Sequence, residues 1–172
     1  IMEEALRNTK IPDVFVDCYF ADCEEESTPI IQDMKFDCPQ KQMLLASSSY
    51  LWDYIRKSGA CGIFLPLSGG ADSGLTALIV YYMCERLYKY YQDGAEDVIA
   101  SLRKVVGIPD YKPTSPKDIV GQIFETSYMA SKNSSEATRK RSKELAEQIG
   151  SHHTEIEIDG IVHEFRELTK KF

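Results

Sequence analysis

From Gln42 onward, apolar positions recur at helical spacing: Leu44, Leu45, Leu51, Trp52 and Ile55 fall on one side of a helix that ends in Arg56, Lys57 and Gly59. Cations ahead of a glycine C-cap complement the helix dipole. The pattern then shortens to Gly62-Ile63-Phe64-Leu65-Pro66-Leu67, an apolar run that suits a buried strand. Ser68-Gly69-Gly70-Ala71-Asp72-Ser73 follows at once, and a second helix opens. On it Leu75, Leu78, Ile79, Tyr82 and Met83 are spaced as a face packed on a sheet. Val98, Ile99, Leu102, Val105 and Val106 predict a third helix, stopped by Gly107 and Pro109, with the tyrosines at 88, 90 and 91 between the two at the edge of the core.

Ser115-Pro116-Lys117-Asp118 reads as an N-cap, a first-turn proline and a first-turn acid, opening a short helix to about Gly121. Ile123 to Met129 reads as a second strand. Asn133-Ser134-Ser135-Glu136 opens a helix that runs through Leu145 and Ile149 to Gly150, and Thr154 to Ile158 alternates as a third strand. Strands alternating with helices predict an α/β fold: a partial parallel sheet with helices on both faces.

The 172 residues, 43% apolar and 27% charged, suit one globular domain large enough for a core without staples. Ala77 to Cys84 is the longest apolar run, eight residues against the roughly 20 that cross a bilayer, so no membrane partner is expected. Residues 1–40 carry ten acids against Arg7, Lys10 and Lys35, which accounts for the whole net charge of −7. The rest is balanced, which argues against a nucleic-acid surface. Acids, Pro12, Pro29 and Pro39 mark residues 1–41 as a linker or tail. Its short run Val14 to Phe20 suits a strand belonging to another unit. The five cysteines show neither a Cys-x-x-Cys pair nor zinc spacing with histidine, so reduced intracellular thiols are expected.

The loop after the first strand carries the candidate chemistry, because ligands gather at the carboxyl ends of strands in such folds. Gly69 and Gly70 can take positive φ and admit a ligand close to the main chain, while the next helix turns unpaired amides toward it. That concavity suits a phosphate, with the Ser68 and Ser73 hydroxyls at its rims. Asp72 would repel bare phosphate unless a cation such as magnesium lies between, which points to a magnesium nucleotide. No lysine occurs between Ser68 and Lys89, so the loop is not a Walker P-loop. No Gly-x-Ser-x-Gly elbow occurs either, leaving Ser68 a weak acyl nucleophile. His152 and His153 are read as surface or packing residues. The cations Arg139, Lys140, Arg141 and Lys143 are read as a solvated helix face, and Lys132 is left open.

Pro66-Leu67-Ser68-Gly69-Gly70-Ala71-Asp72-Ser73 resembles the pyrophosphate loop of the N-type ATP pyrophosphatases, whose fold is adenine nucleotide alpha hydrolase-like. Leu51-Trp52-Asp53-Tyr54 with Gly62 to Pro66, and Tyr128 to Ser135 with Gln148 to His153, resemble the synthetase domain of the eukaryotic glutamine-dependent NAD synthetases. The resemblance runs from about residue 36 to 172. It implies an ATP-driven amidation of deamido-NAD through an adenylate, with ammonia from glutamine, in a cytoplasmic homo-oligomer. It further implies ATP and pyrophosphate held by residues 66–73, Ser68 as a catalytic contact, magnesium at Asp72, and adenine and ribose near Met129 to Ser131.

By the same resemblance, residues 1–41 are the tail of a glutaminase domain and 42–172 the first portion of a synthetase domain truncated at its C-terminus. An apolar sheet edge and the helical residues Ile161, Phe165 and Leu168 are then expected to lack part of their packing surface. A nucleotide-binding piece without turnover, or another enzyme with this loop such as a GMP synthetase, are the competing expectations.

Overall fold

The computed structural model of the chain describes residues 38–170. The run Val14 to Phe20 and most of the expected linker lie outside them. Among the described residues six helices and three strands follow in the order α1 (Pro39–Ser58), β1 (Ile63–Pro66), α2 (Ala71–Gln92), α3 (Glu96–Val106), α4 (Pro116–Ile123), β2 (Phe124–Ala130), α5 (Glu136–Ile149), β3 (His152–Glu157) and α6 (Asp159–Thr169).

Local chemistry sets most of these boundaries. Gly59, Gly107 and Gly150 end α1, α3 and α5 in the left-handed conformation, with φ of 74°, 77° and 83°. Ser115 and Ser135 cap α4 and α5 by accepting the amides of Asp118 and Thr138. Two elements start earlier than their sequence signals: α2 opens at Ala71, so Asp72 and Ser73 belong to its first turn, and β3 takes in both histidines. The helix from Pro116 runs past Gly121 to Ile123.

The sheet is parallel throughout, in the order β1-β2-β3. Ile63 pairs with Phe124 and Pro66 with Ser127; Glu125 pairs with His152 and Ala130 with Glu157. Register partners share a face, so Leu65, Phe124, Thr126 and Tyr128 point to the helical side, where the two β2 aromatics are buried. The opposite side, with Phe64, Met129 and Ile156 at 56%, 41% and 39% exposure, is largely open among the described residues. The apolar residues of α6 are exposed as well, Ile161 and Phe165 to about two thirds.

The core forms around α2, which packs against α1, α3, α4 and α5. Its buried stripe is Ala77, Val80, Met83, Cys84 and Leu87. The face expected from spacing is therefore rotated: Met83 is inside, but Leu75 and Leu78 are 44% and 45% exposed. Apolar residues occupy most of this helix, so periodicity alone does not select a side. The choice falls to tertiary packing against Ile55, Leu102, Ile119 and Val120, each worth about 1.5–3 kcal/mol when fully buried. Burial pushes the Cys84 thiol up to about 12, so it behaves as a small apolar side chain. Cys38 and Cys61 are free and exposed.

His153 packs beside β2, with Nδ1 2.9 Å from Thr126 Oγ1 and Nε2 buried without a partner among the described residues. Burial lowers its pKa from 6.5; the Glu155 and Glu147 carboxylates oppose the shift and Lys143 adds to it. The unfolded chain then binds the proton more readily, so stability falls as pH drops below about 6.5 and through the lower, folded-state value. Urea unfolding at about pH 7.5 and about pH 5.5 is expected to show this loss, and His153→Asn to flatten it. An unchanged slope in the variant would assign the pH dependence elsewhere.

Candidate phosphate-binding loop

β1 ends at Pro66, and the chain turns into α2 through four residues whose main chain is held from two sides. Leu67, fully buried, donates its amide to the Ser127 carbonyl of β2 at 2.8 Å. Its own carbonyl accepts the Ser142 hydroxyl of α5 at 2.7 Å. Gly69 then takes φ +75°, and a Cβ on it would collide with the Thr138 carbonyl. Here the backbones of the loop and α5 touch, which no side chain permits.

Gly70 does not share this conformation. It is extended, with φ −88° and ψ 169°, because it is the N-cap of α2, and a Cβ there would meet only Ser68 Oγ at 3.4 Å. The expectation of two positive-φ glycines therefore holds for Gly69 alone. Ser68 Oγ accepts the Gly70 amide at 3.3 Å and lies 2.9 Å from Ser73 Oγ, which donates to the Gly70 carbonyl at 3.2 Å. The two hydroxyls brace the loop across its mouth.

Among the described residues no side chain caps α2. The amides of Ala71, Asp72 and Ser73 have no intrahelical acceptor, and together with the dipole of a 22-residue helix they give the loop its positive potential. Asp72 is exposed and forms no ion pair with any described residue. Among the described residues no three His, Cys, Asp or Glu side chains converge. A hard cation here would thus take one oxygen from Asp72 and the rest from phosphate and water, the coordination magnesium prefers. The residues present fit that ion.

β2 ends beside β1, so Met129 stands at the same edge of the sheet as Ser68. The chain after it is pinned: Ser131 donates its amide to Ser134 Oγ at 2.9 Å, and Lys132 donates its amide to the Asp159 carboxylate at 2.7 Å. Lys140, Arg141 and Lys143 are exposed and Lys140 pairs with Glu144, but Arg139 departs from the expected solvated face: it is half-buried, lies over the Tyr128 ring and faces Glu155 and Glu157 of β3. A recess of about 380 Å³ lined by Ser48, Trp52, Arg86, Tyr90 and Asp97 among others lies between α1, α2 and α3, about 20 Å along α2 from the loop. No loop residue lines it. Ser142 and Thr138, which hold the loop, carry no sequence signal, since a serine inside a charged helix looks like surface.

A parallel sheet whose first strand runs through a glycine turn into the start of a helix defines an α/β protein with its candidate site at the carboxyl edge of the strands. The chain belongs to the NAD synthase family, whose profile matches residues 43–172. It is 41% identical over 160 residues to the glutamine-dependent NAD(+) synthetase of Homo sapiens, covering 92% of this chain and 23% of that protein. The putative glutamine-dependent NAD(+) synthetase of Schizosaccharomyces pombe is 44% identical over 121 residues, covering 70% and 17%. A crystal structure of a glutamine-dependent NAD(+) synthetase from Cytophaga hutchinsonii superposes with a TM-score of 0.63 at 28% identity, over 77% of this chain and 23% of that one. The chain spans about a quarter of the length of these relatives or less.

Gly69→Ala combines a strained φ, worth about 1–2 kcal/mol, with a backbone collision, and is expected to destabilise the fold by at least that much. Gly70→Ala is expected to cost under about 1 kcal/mol. Thermal unfolding of the two variants side by side checks the contrast, and equal losses would contradict the geometry.

Proposed function

We propose that residues 66–73 bind the triphosphate of ATP, and that the chain contributes this half of the site in an enzyme that amidates deamido-NAD to NAD. The observation that carries the reading is the uncapped start of α2 behind the Gly69 turn, in a chain of the NAD synthase family. In the reaction the carboxylate of deamido-NAD attacks the α-phosphate, pyrophosphate leaves, and ammonia from glutamine displaces AMP from the adenylate.

The amides of Ala71 to Ser73 and the dipole of α2 stabilise charge accumulating on the leaving pyrophosphate, at no reorganisation cost because β1 and α5 already hold the loop in shape. The Ser68 and Ser73 hydroxyls can turn from one another to phosphate oxygens, which makes Ser68 a phosphate contact rather than an acyl nucleophile. Asp72 would hold magnesium, which would neutralise phosphate charge. Met129 to Ser131, at the adjoining strand end, take the adenine and ribose. Residues 1–41 serve as the tail of a glutaminase domain, residues 42–172 as the opening of the synthetase domain, and the working form is a cytoplasmic homo-oligomer.

Isothermal titration of ATP into the 172-residue chain is expected to show saturable binding that requires magnesium. Asp72→Ala is expected to weaken it roughly tenfold or more, the scale of one lost charge-assisted contact. Binding that ignores both magnesium and Asp72→Ala would remove the carboxylate from the metal role, and a folded chain that binds no nucleotide would overturn the reading.

A further inference from the structure

Three residues of α5, Thr138, Ser142 and Leu145, lie at i, i+4 and i+7 and so form one stripe of the helix. Each meets the strand-to-helix turn at a different point. The Thr138 carbonyl fills the place of a Gly69 Cβ, Ser142 donates to the Leu67 carbonyl at 2.7 Å, and a Cβ on Gly74 would meet Leu145 Cδ2 at 3.6 Å. The stripe is itself held to the sheet, because the Tyr128 hydroxyl of β2 lies 2.8 Å from Thr138 Oγ1. Arg139 faces Glu155, Lys140 pairs with Glu144, and Arg141 and Lys143 are exposed, so the contacts α5 makes with the turn are the Thr138 carbonyl, the Ser142 hydroxyl and the Leu145 side chain.

Ser142 is the informative member. A serine inside a helix commonly returns its hydroxyl to the carbonyl one turn back. Ser142, fully buried, gives it instead to Leu67, 75 positions earlier in the chain. The Leu67 peptide is the last before the loop, so its orientation sets where the following amides point. We propose that Ser142 is a positioning residue for the phosphate loop, fixing the Leu67 carbonyl so that the Ser68 to Ser73 main chain is shaped before phosphate arrives. This rests on the reading of the loop as a phosphate site, and it assigns the loop's affinity partly to a helix that supplies no ligand group.

Inorganic pyrophosphate with magnesium is the probe, titrated into the 172-residue chain at a temperature where every variant is folded. Ser142→Ala is expected to raise the pyrophosphate Kd roughly tenfold, since a misdirected loop loses several contacts together. Ile149→Val, a core change near the other end of α5, is expected to lower the melting temperature yet leave that Kd within about twofold. Ser142→Cys, which keeps a weak donor of similar size, is expected to fall between wild type and Ser142→Ala and serves if the alanine variant does not fold.

The amide resonances of Gly69 and Gly70 give a readout that needs no ligand. They are expected to move in Ser142→Ala and to stay in place in Ile149→Val. A Ser142→Ala chain with wild-type affinity and unmoved Gly69 and Gly70 resonances would overturn the proposal. A wild-type chain that does not bind pyrophosphate would count against the functional reading, while the resonances would still decide the role of Ser142.

Discussion

The peptide groups of Leu67 are where the structure is tied together. Its amide belongs to the β1–β2 ladder and its carbonyl belongs to α5, so one fully buried residue joins the sheet, the loop and the covering helix. A buried peptide group left without a partner would cost about 1–3 kcal/mol, and both groups of this one are satisfied by different elements. The turn that follows thus inherits a fixed direction, and the positive φ of Gly69 is the local conformation that lets the chain pass directly over the Thr138 carbonyl.

Around that point the layers serve different ends. α2 supplies Ala77, Val80, Met83, Cys84 and Leu87 to the core and presents its start at the carboxyl edge of the sheet. α1, α3 and α4 bury its flanks and so stabilise the helix that follows the loop. The asymmetry of the sheet is as pronounced: Phe124 and Tyr128 are buried on one side, while Phe64, Met129 and Ile156 remain exposed on the other.

What could be read in the sequence was the chemistry that acts within a few residues. Gly59, Gly107 and Gly150 announce helix ends because a left-handed cap is a property of the residue, and Ser115 and Ser135 announce starts because a hydroxyl reaches its own first turn. The loop was legible as a string for the same reason. What failed depended on contacts distant in sequence. Leu75 and Leu78 look as apolar as Val80 and Leu87, and only the neighbours of α2 decide which are buried. Gly70 looks the same as Gly69 until the helix start places it at the N-cap. Ser142 is invisible, since its partner lies 75 residues away.

The order of the sheet bears on how the chain assembles. β2 and β3 are joined through α5 alone, whereas three helices intervene between β1 and β2. Closing the shorter connection costs less chain entropy, which favours β2, α5 and β3 as the earlier folding unit. That unit already contains the Thr138 carbonyl and the Ser142 hydroxyl. In that order β1 would dock against a surface already carrying both groups, and the glycine turn would take its shape as β1 arrives.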